Sequence, residues 1–150
     1  EKSMYDPCPA GWRVPPIMAF SKFTSTGAAV MGNYASTAVA DRNGDGVVDT
    51  NDYNYGYYFT LSGNTTSFFP AATRWYGAYA ALYGSVAGHN GVYWSNSIYK
   101  STISSQANSL MATACLNFMS PQAAGTCFVS AMGGGARSDG SSVRCVADKE

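Results

Sequence analysis

Thr113-Ala114-Cys115-Leu116-Asn117-Phe118 and Gly125-Thr126-Cys127-Phe128-Val129 are two runs of alternating character set on either side of Ser120-Pro121-Gln122. Alternation with a period of two marks a strand with one buried face, and two such runs around a proline-bearing break read as a hairpin. A turn centred on Pro121 brings Cys115 and Cys127 directly opposite each other, at a separation a disulfide spans. Working outward, further β-like runs separated by Gly, Asn and Ser are Tyr55 to Leu61, Gly91 to Ser97, Thr126 to Met132 and Ser142 to Val146. Helix is expected in two places. Pro15 and Pro16 suit the first turn of a short one whose inner face is Ile17, Phe20 and either Phe23 or Thr24, and Ala71 to Tyr83 allows another. The fold class expected is α+β, mostly antiparallel strands with one or two short helices and long loops, in a single domain over 1–150.

The 150 residues are enough for one core, without metal or disulfides being needed merely to fold. Only 12% of them are charged, and the formal net charge is +0. That composition disfavours a nucleic-acid partner, which would demand a basic surface. In place of charge stand 16 Gly, 11 Tyr, 7 Phe and 3 Trp, a mix suited to β-rich binding domains. No run of about 18 apolar residues is present, so no transmembrane segment is expected. The start, Glu1-Lys2-Ser3-Met4, has no signal-peptide character, which reads as a mature or excised segment. Four cysteines without a CxxC pair suggest two disulfides and an oxidising, extracellular location. With Cys115 and Cys127 assigned to the hairpin, Cys8 and Cys145 remain, tying the first segment to the last strand.

Residues 24 to 53 are small and polar and read as an insertion rather than as core. At their end, Asp41-Arg42-Asn43-Gly44-Asp45-Gly46-Val47-Val48-Asp49-Thr50-Asn51-Asp52 fits the D-x-[DN]-x-[DN]-G calcium loop. A hard cation takes alternate oxygen ligands, here Asp41, Asn43, Asp45, Asp49 and Asp52, with the carbonyl of Val47 between them and Gly46 at the sharp turn. Asp rather than Glu at the twelfth position shortens the last arm, as in dockerin-like extracellular loops. Calcium is therefore the expected cofactor.

Tyr5-Asp6-Pro7-Cys8-Pro9-Ala10-Gly11-Trp12-Arg13-Val14-Pro15, Phe69-Pro70-Ala71-Ala72, Gly91-Val92-Tyr93-Trp94-Ser95-Asn96-Ser97 and Ser142-Val143-Arg144-Cys145-Val146 together span the chain. In them it resembles the fimbrillin-like and major-paralogous-domain surface proteins of Bacteroidetes. The resemblance implies a C-type lectin-like fold, nested bridges near the joined termini, and display on the outer membrane or a fimbrium. The calcium-dependent sugar motifs of true C-type lectins, Glu-Pro-Asn or Gln-Pro-Asp followed by Trp-Asn-Asp, are absent, with Trp94-Ser95-Asn96 only an echo of the last.

Catalysis is not expected. His89 is the only imidazole, in a glycine-bounded exposed loop, and no two carboxylates are singled out by spacing. Gly133-Gly134-Gly135-Ala136-Arg137 lacks the Lys-Ser/Thr of a phosphate loop. Recognition chemistry is better represented, with Tyr76, Tyr79, Tyr93, Asn96 and Tyr99 as the candidate ligand-binding residues, while Trp12 and Trp94 are expected to fill the core. The resulting expectation is a non-catalytic surface or pilus-tip adhesion domain that binds a host or community glycan or protein and is stabilised by calcium. Its rival is a structural pilus or lipoprotein module whose partners are neighbouring subunits.

Overall fold

A computed structural model describes residues 4–23, 38–61, 65–76, 81–82, 88–98, 112–121, 128–136 and 139–148. Within them the chain forms nine strands and one 3₁₀ helix. The strands are β1 (Trp12–Arg13), β2 (Gly56–Thr60), β3 (Thr66–Pro70), β4 (Trp75–Tyr76), β5 (Ala81–Leu82), β6 (Asn90–Ile98), β7 (Ala112–Met119), β8 (Phe128–Ala136) and β9 (Val146–Ala147). The 3₁₀ helix, Ile17–Phe23, lies between β1 and β2. Every named pairing is antiparallel: β1 with β9, β2 with β3, β4 with β5, and the three-stranded order β6-β7-β8. The α+β class with dominant antiparallel strands holds at this level.

The 3₁₀ helix follows from its sequence. Ile17, Phe20 and Phe23 are its buried residues, a spacing of three that matches three residues per turn. Pro15 and Pro16 lead into it, the Ile17 amide donates to Ser97 Oγ at 3.0 Å, and the Ala19 amide donates to the Pro16 carbonyl. Its inner face meets an aromatic core. Phe23 stacks on Phe59 at 4.4 Å, Phe59 meets Phe69 edge-on at 5.2 Å, and Tyr57 meets Phe118 at 5.5 Å. Burying each such ring contributes roughly 1.5–3 kcal/mol from area, with about 0.5–1.5 more from pair geometry.

On β7, Ala114, Leu116 and Phe118 face that core, and the intervening Cys115 is buried too, at 2% exposure. Both faces of the strand are therefore covered. Beside the second face the segment around Gly140 is tied down: Trp75 and Gly140 exchange backbone hydrogen bonds, and Tyr93 and Ser142 form a parallel bridge. One disulfide, Cys8–Cys145, with its Cα atoms 5.8 Å apart, ties the first segment to the last, as the sequence implies.

Five expectations are corrected. Ala71 to Tyr83 is not helical where described: β4 and β5 pair as strands, because Thr73 sits at φ 59° and hands its amide to Asn90 while Trp75 is taken up by Gly140. The β7–β8 hairpin is longer than a turn centred on Pro121 allows. Met119 pairs with Phe128, and a bulge between Cys115 and Asn117 then sets Gly133, not Cys127, opposite Cys115. Cys127 itself lies outside the described residues. Of Ser142 to Val146 only Val146 enters a named strand. The stretch read as an insertion also contributes to the core, since Ala38 and Val39 are buried and pair beside β2 through the Val39–Phe59 bridge. Trp12, expected inside, is 46% exposed.

Candidate functional site

The acidic loop is tied to β2 at its start, where the Ala40 amide donates to the Tyr58 carbonyl and the Arg42 guanidinium lies 4.6 Å over the Tyr58 ring. From there its carboxylates fold the backbone around themselves. Asp41 accepts the amides of Gly44 and Gly46, each at 2.7 Å, and Asp45 accepts the amide of Val47 and the side-chain amide of Asn43. Gly46 is at φ 83°, a conformation that L side chains rarely adopt, so glycine is required at the turn. Asp49 accepts from Asn51, and Asp52, fully buried, accepts the amides of Arg42, Asn43 and Asp49. Burial pushes the Asp52 carboxyl upward in pKa, yet the three amides and the Arg42 charge outweigh it and hold the group below its ordinary value.

All six residues expected to ligate calcium, Asp41, Asn43, Asp45, Val47, Asp49 and Asp52, thus belong to one folded loop. Among the described residues, however, no three acidic, histidine or cysteine side chains converge into a group placed to hold a metal. Each carboxylate is instead turned toward loop amides.

The loop runs directly into a cleft of about 550 Å³. One wall is Thr50, Tyr53, Asn54 and Tyr55; the other is Gly88, His89, Ser120 and Pro121. A closed set of hydrogen bonds joins the walls at their base. The Tyr53 hydroxyl donates to the Gly88 carbonyl, the Gly88 amide to the Ala71 carbonyl at 3.0 Å, and the Ala71 amide to the Tyr55 carbonyl at 2.7 Å. Burial pushes the Tyr53 hydroxyl up to about 12, so it remains a donor through the physiological range. Opposite, the Ser120 amide donates to the His89 carbonyl at 2.7 Å, and Ser120 Oγ lies 3.2 Å from His89 Nδ1.

Tyr55 is 72% exposed and sits at φ 51°, an uncommon and costly backbone state for an aromatic residue. Its ring rests over Gly88, itself at φ 92°, where a β-carbon would collide with Tyr55 Cδ1. In the sequence Tyr55 stands only as the start of a β-like run and His89 only as a loop residue; the Tyr53-Asn54-Tyr55 run beside the acidic loop is the signal that points to the cleft.

A second, more open groove of about 360 Å³ lies beside the disulfide, where Tyr5, Val14, Trp94, Asn96 and Val143 line it. Asn96 is exposed there, as a recognition residue must be. Tyr93 is corrected: it is 3% exposed, packs edge-on to Phe69 at 5.1 Å, and its hydroxyl donates to the Pro70 carbonyl at 2.7 Å, so it is core and not surface. Tyr76 contributes its backbone to β4, and Tyr79 and Tyr99 lie outside the described residues. No helix among the described residues is long and apolar enough to cross a membrane. Comparison with known proteins finds no matching family model, no matching curated protein and no matching solved structure.

Proposed function

We propose that this chain is a non-catalytic recognition domain of the cell surface or a pilus tip, built on a C-type lectin-like fold of the fimbrillin-like, major-paralogous-domain kind, and braced by calcium. The observation that carries the reading is the continuity of the acidic loop with the Tyr55 cleft. A rigid, aromatic, amide-bearing surface begins at the residue after Asp52. Supporting it are a disulfide between the chain's first and last segments, which suits an oxidising compartment, and a cleft whose described lining residues lie outside the named strands of an antiparallel frame, where binding residues concentrate.

The donor set suits calcium: four carboxylates, one amide oxygen and one backbone carbonyl, all hard oxygens, on a loop whose glycine turn is already formed. Bound there, the ion would offset the mutual repulsion of the four acids. It would also fix Thr50 and Tyr53, which follow through the turn closed by Asp52 and Asp49. The experiment is an array of glycans and host proteins probed with the domain, once with calcium and once with EDTA. Calcium-sensitive binding to a defined ligand is expected. A blank array from folded protein in both buffers overturns the reading in favour of an assembly module that binds only its neighbours.

A further inference from the structure

We infer that the cleft between Tyr55 and the His89–Ser120 pair binds an uncharged sugar ring, stacked on Tyr55. The inference rests on the recognition reading above and names its ligand class. Three features of the cleft lead to it.

The first is the ring itself. A largely exposed tyrosine held over a glycine offers a flat apolar surface in a fixed place, and the C–H face of a pyranose is a flat apolar surface of similar breadth. Tyr57, two residues on, is fully buried in the core, whereas Tyr55 is turned outward by its left-handed backbone. That conformation is maintained by the Ala71 amide on the Tyr55 carbonyl and by the Asn54 amide on the Gly56 carbonyl.

The second is the chemistry of the walls. Thr50, Asn54 and Ser120 supply hydroxyl and amide groups, and His89 an imidazole, so donors and acceptors surround the aromatic face. Among the described residues, no Lys, Arg, Asp or Glu lines the cleft. Such a wall matches hydroxyl groups in ordered directions and gives no permanently charged group to neutralise a carboxylate, phosphate or ammonium.

The third is size and rigidity. About 550 Å³ lies within the usual range for small-ligand sites and accommodates one ring with part of its neighbour. Both walls are pinned by backbone hydrogen bonds before any ligand arrives, which lowers the ordering cost of binding.

The test uses saturation-transfer NMR on the calcium-loaded domain, with methyl glycosides of glucose, galactose, mannose and N-acetylglucosamine as neutral probes and sialic acid as the charged one. Signal transfer to at least one neutral glycoside is expected. It should fall tenfold or more in Tyr55→Gly, a change that removes the ring while relieving the positive φ, and several-fold in His89→Ala. Met18→Ala, on the exposed side of the 3₁₀ helix, should leave it unchanged. Unaltered glycoside binding in folded Tyr55→Gly overturns the site, as does preference for sialic acid. Array binding by the wild type that survives Tyr55→Gly keeps the recognition reading and discards this cleft. Failure of every glycoside together with a blank array discards both.

Discussion

Arg74 and Asp139 meet at 3.3 Å with the carboxylate side chain only 1% exposed and the guanidinium side chain 15% exposed. They join the segment entering β4 to the segment that closes over β6, on the face of β7 opposite the aromatic core. Their charges also reach Cys115 from that side. Burial is what mainly pushes the Cys115 thiol up, to about 12, with Arg74 drawing it down and Asp139 raising it.

Removing one partner of so enclosed a pair leaves the other charge stranded. Arg74→Met should therefore cost about 3–5 kcal/mol in urea unfolding, while the double change Arg74→Met with Asp139→Leu should recover much of it. A double variant no more stable than Arg74→Met alone would show that the pair does not act as a unit.

The disulfide closes a separation of 137 residues. By chain-entropy reckoning Cys8→Ser with Cys145→Ser should cost about 5 kcal/mol, with a matching fall in Tm. Peptide mapping should recover Cys8 linked to Cys145, and alkylation of the native protein should spare Cys115 until denaturant is added, because a buried neutral thiol is a poor nucleophile. Recovery of Cys115 linked to Cys127 would require the β7–β8 register to differ from the one that sets Cys115 against Gly133.

That register shows where sequence reasoning stops. Period-two alternation locates β6 and β7 to within a residue, because it depends only on which side chains want burial. Register depends on the length of the connection and on a bulge, and neither is written in the alternation of 113–118 or 125–129. The 70s were misread for a related reason. Helical propensity is local, while Trp75 exchanges hydrogen bonds with Gly140 and the Thr73 amide donates to Asn90, partners distant in sequence that add to the β4–β5 pairing. The acidic loop was legible because its fold is dictated by its own side chains. The cleft was not, since Tyr55, His89 and Ser120 are brought together by hydrogen bonds between segments distant in sequence.

Asp52 is the acid on which the loop closes, with three backbone amides on a fully buried carboxylate. Asp52→Asn replaces one accepting oxygen by a donor facing those amides. In EDTA at neutral pH it should destabilise the domain by about 2 kcal/mol, and in calcium by more. Asp45→Ala, at an exposed position, should leave the EDTA melt close to wild type and abolish the rise in Tm on adding calcium. A calcium-dependent rise that persists in Asp45→Ala would remove that residue from the ligand set.

Alkaline pH should expose what the buried hydroxyls and thiol contribute. Burial raises Tyr53 and Tyr93 from 10.0 to about 12, with Arg144 pulling the other way on Tyr93, and raises Cys115 from 9.0 to about 12. In all three the folded state holds its proton after the unfolded chain has lost it. Stability is therefore fully present below about pH 9, falls as the unfolded groups ionise between pH 9 and 10, and continues to fall until the folded groups titrate near 12. Tm measured from pH 7 to 11 should be flat and then decline. Tyr93→Phe should start about 1 kcal/mol lower at pH 7, because the hydrogen bond to the Pro70 carbonyl is lost, and should then decline less steeply, since one of the three linked protons is gone. A variant that declines in parallel with the wild type would show that Tyr93 is not among the groups whose proton the fold protects.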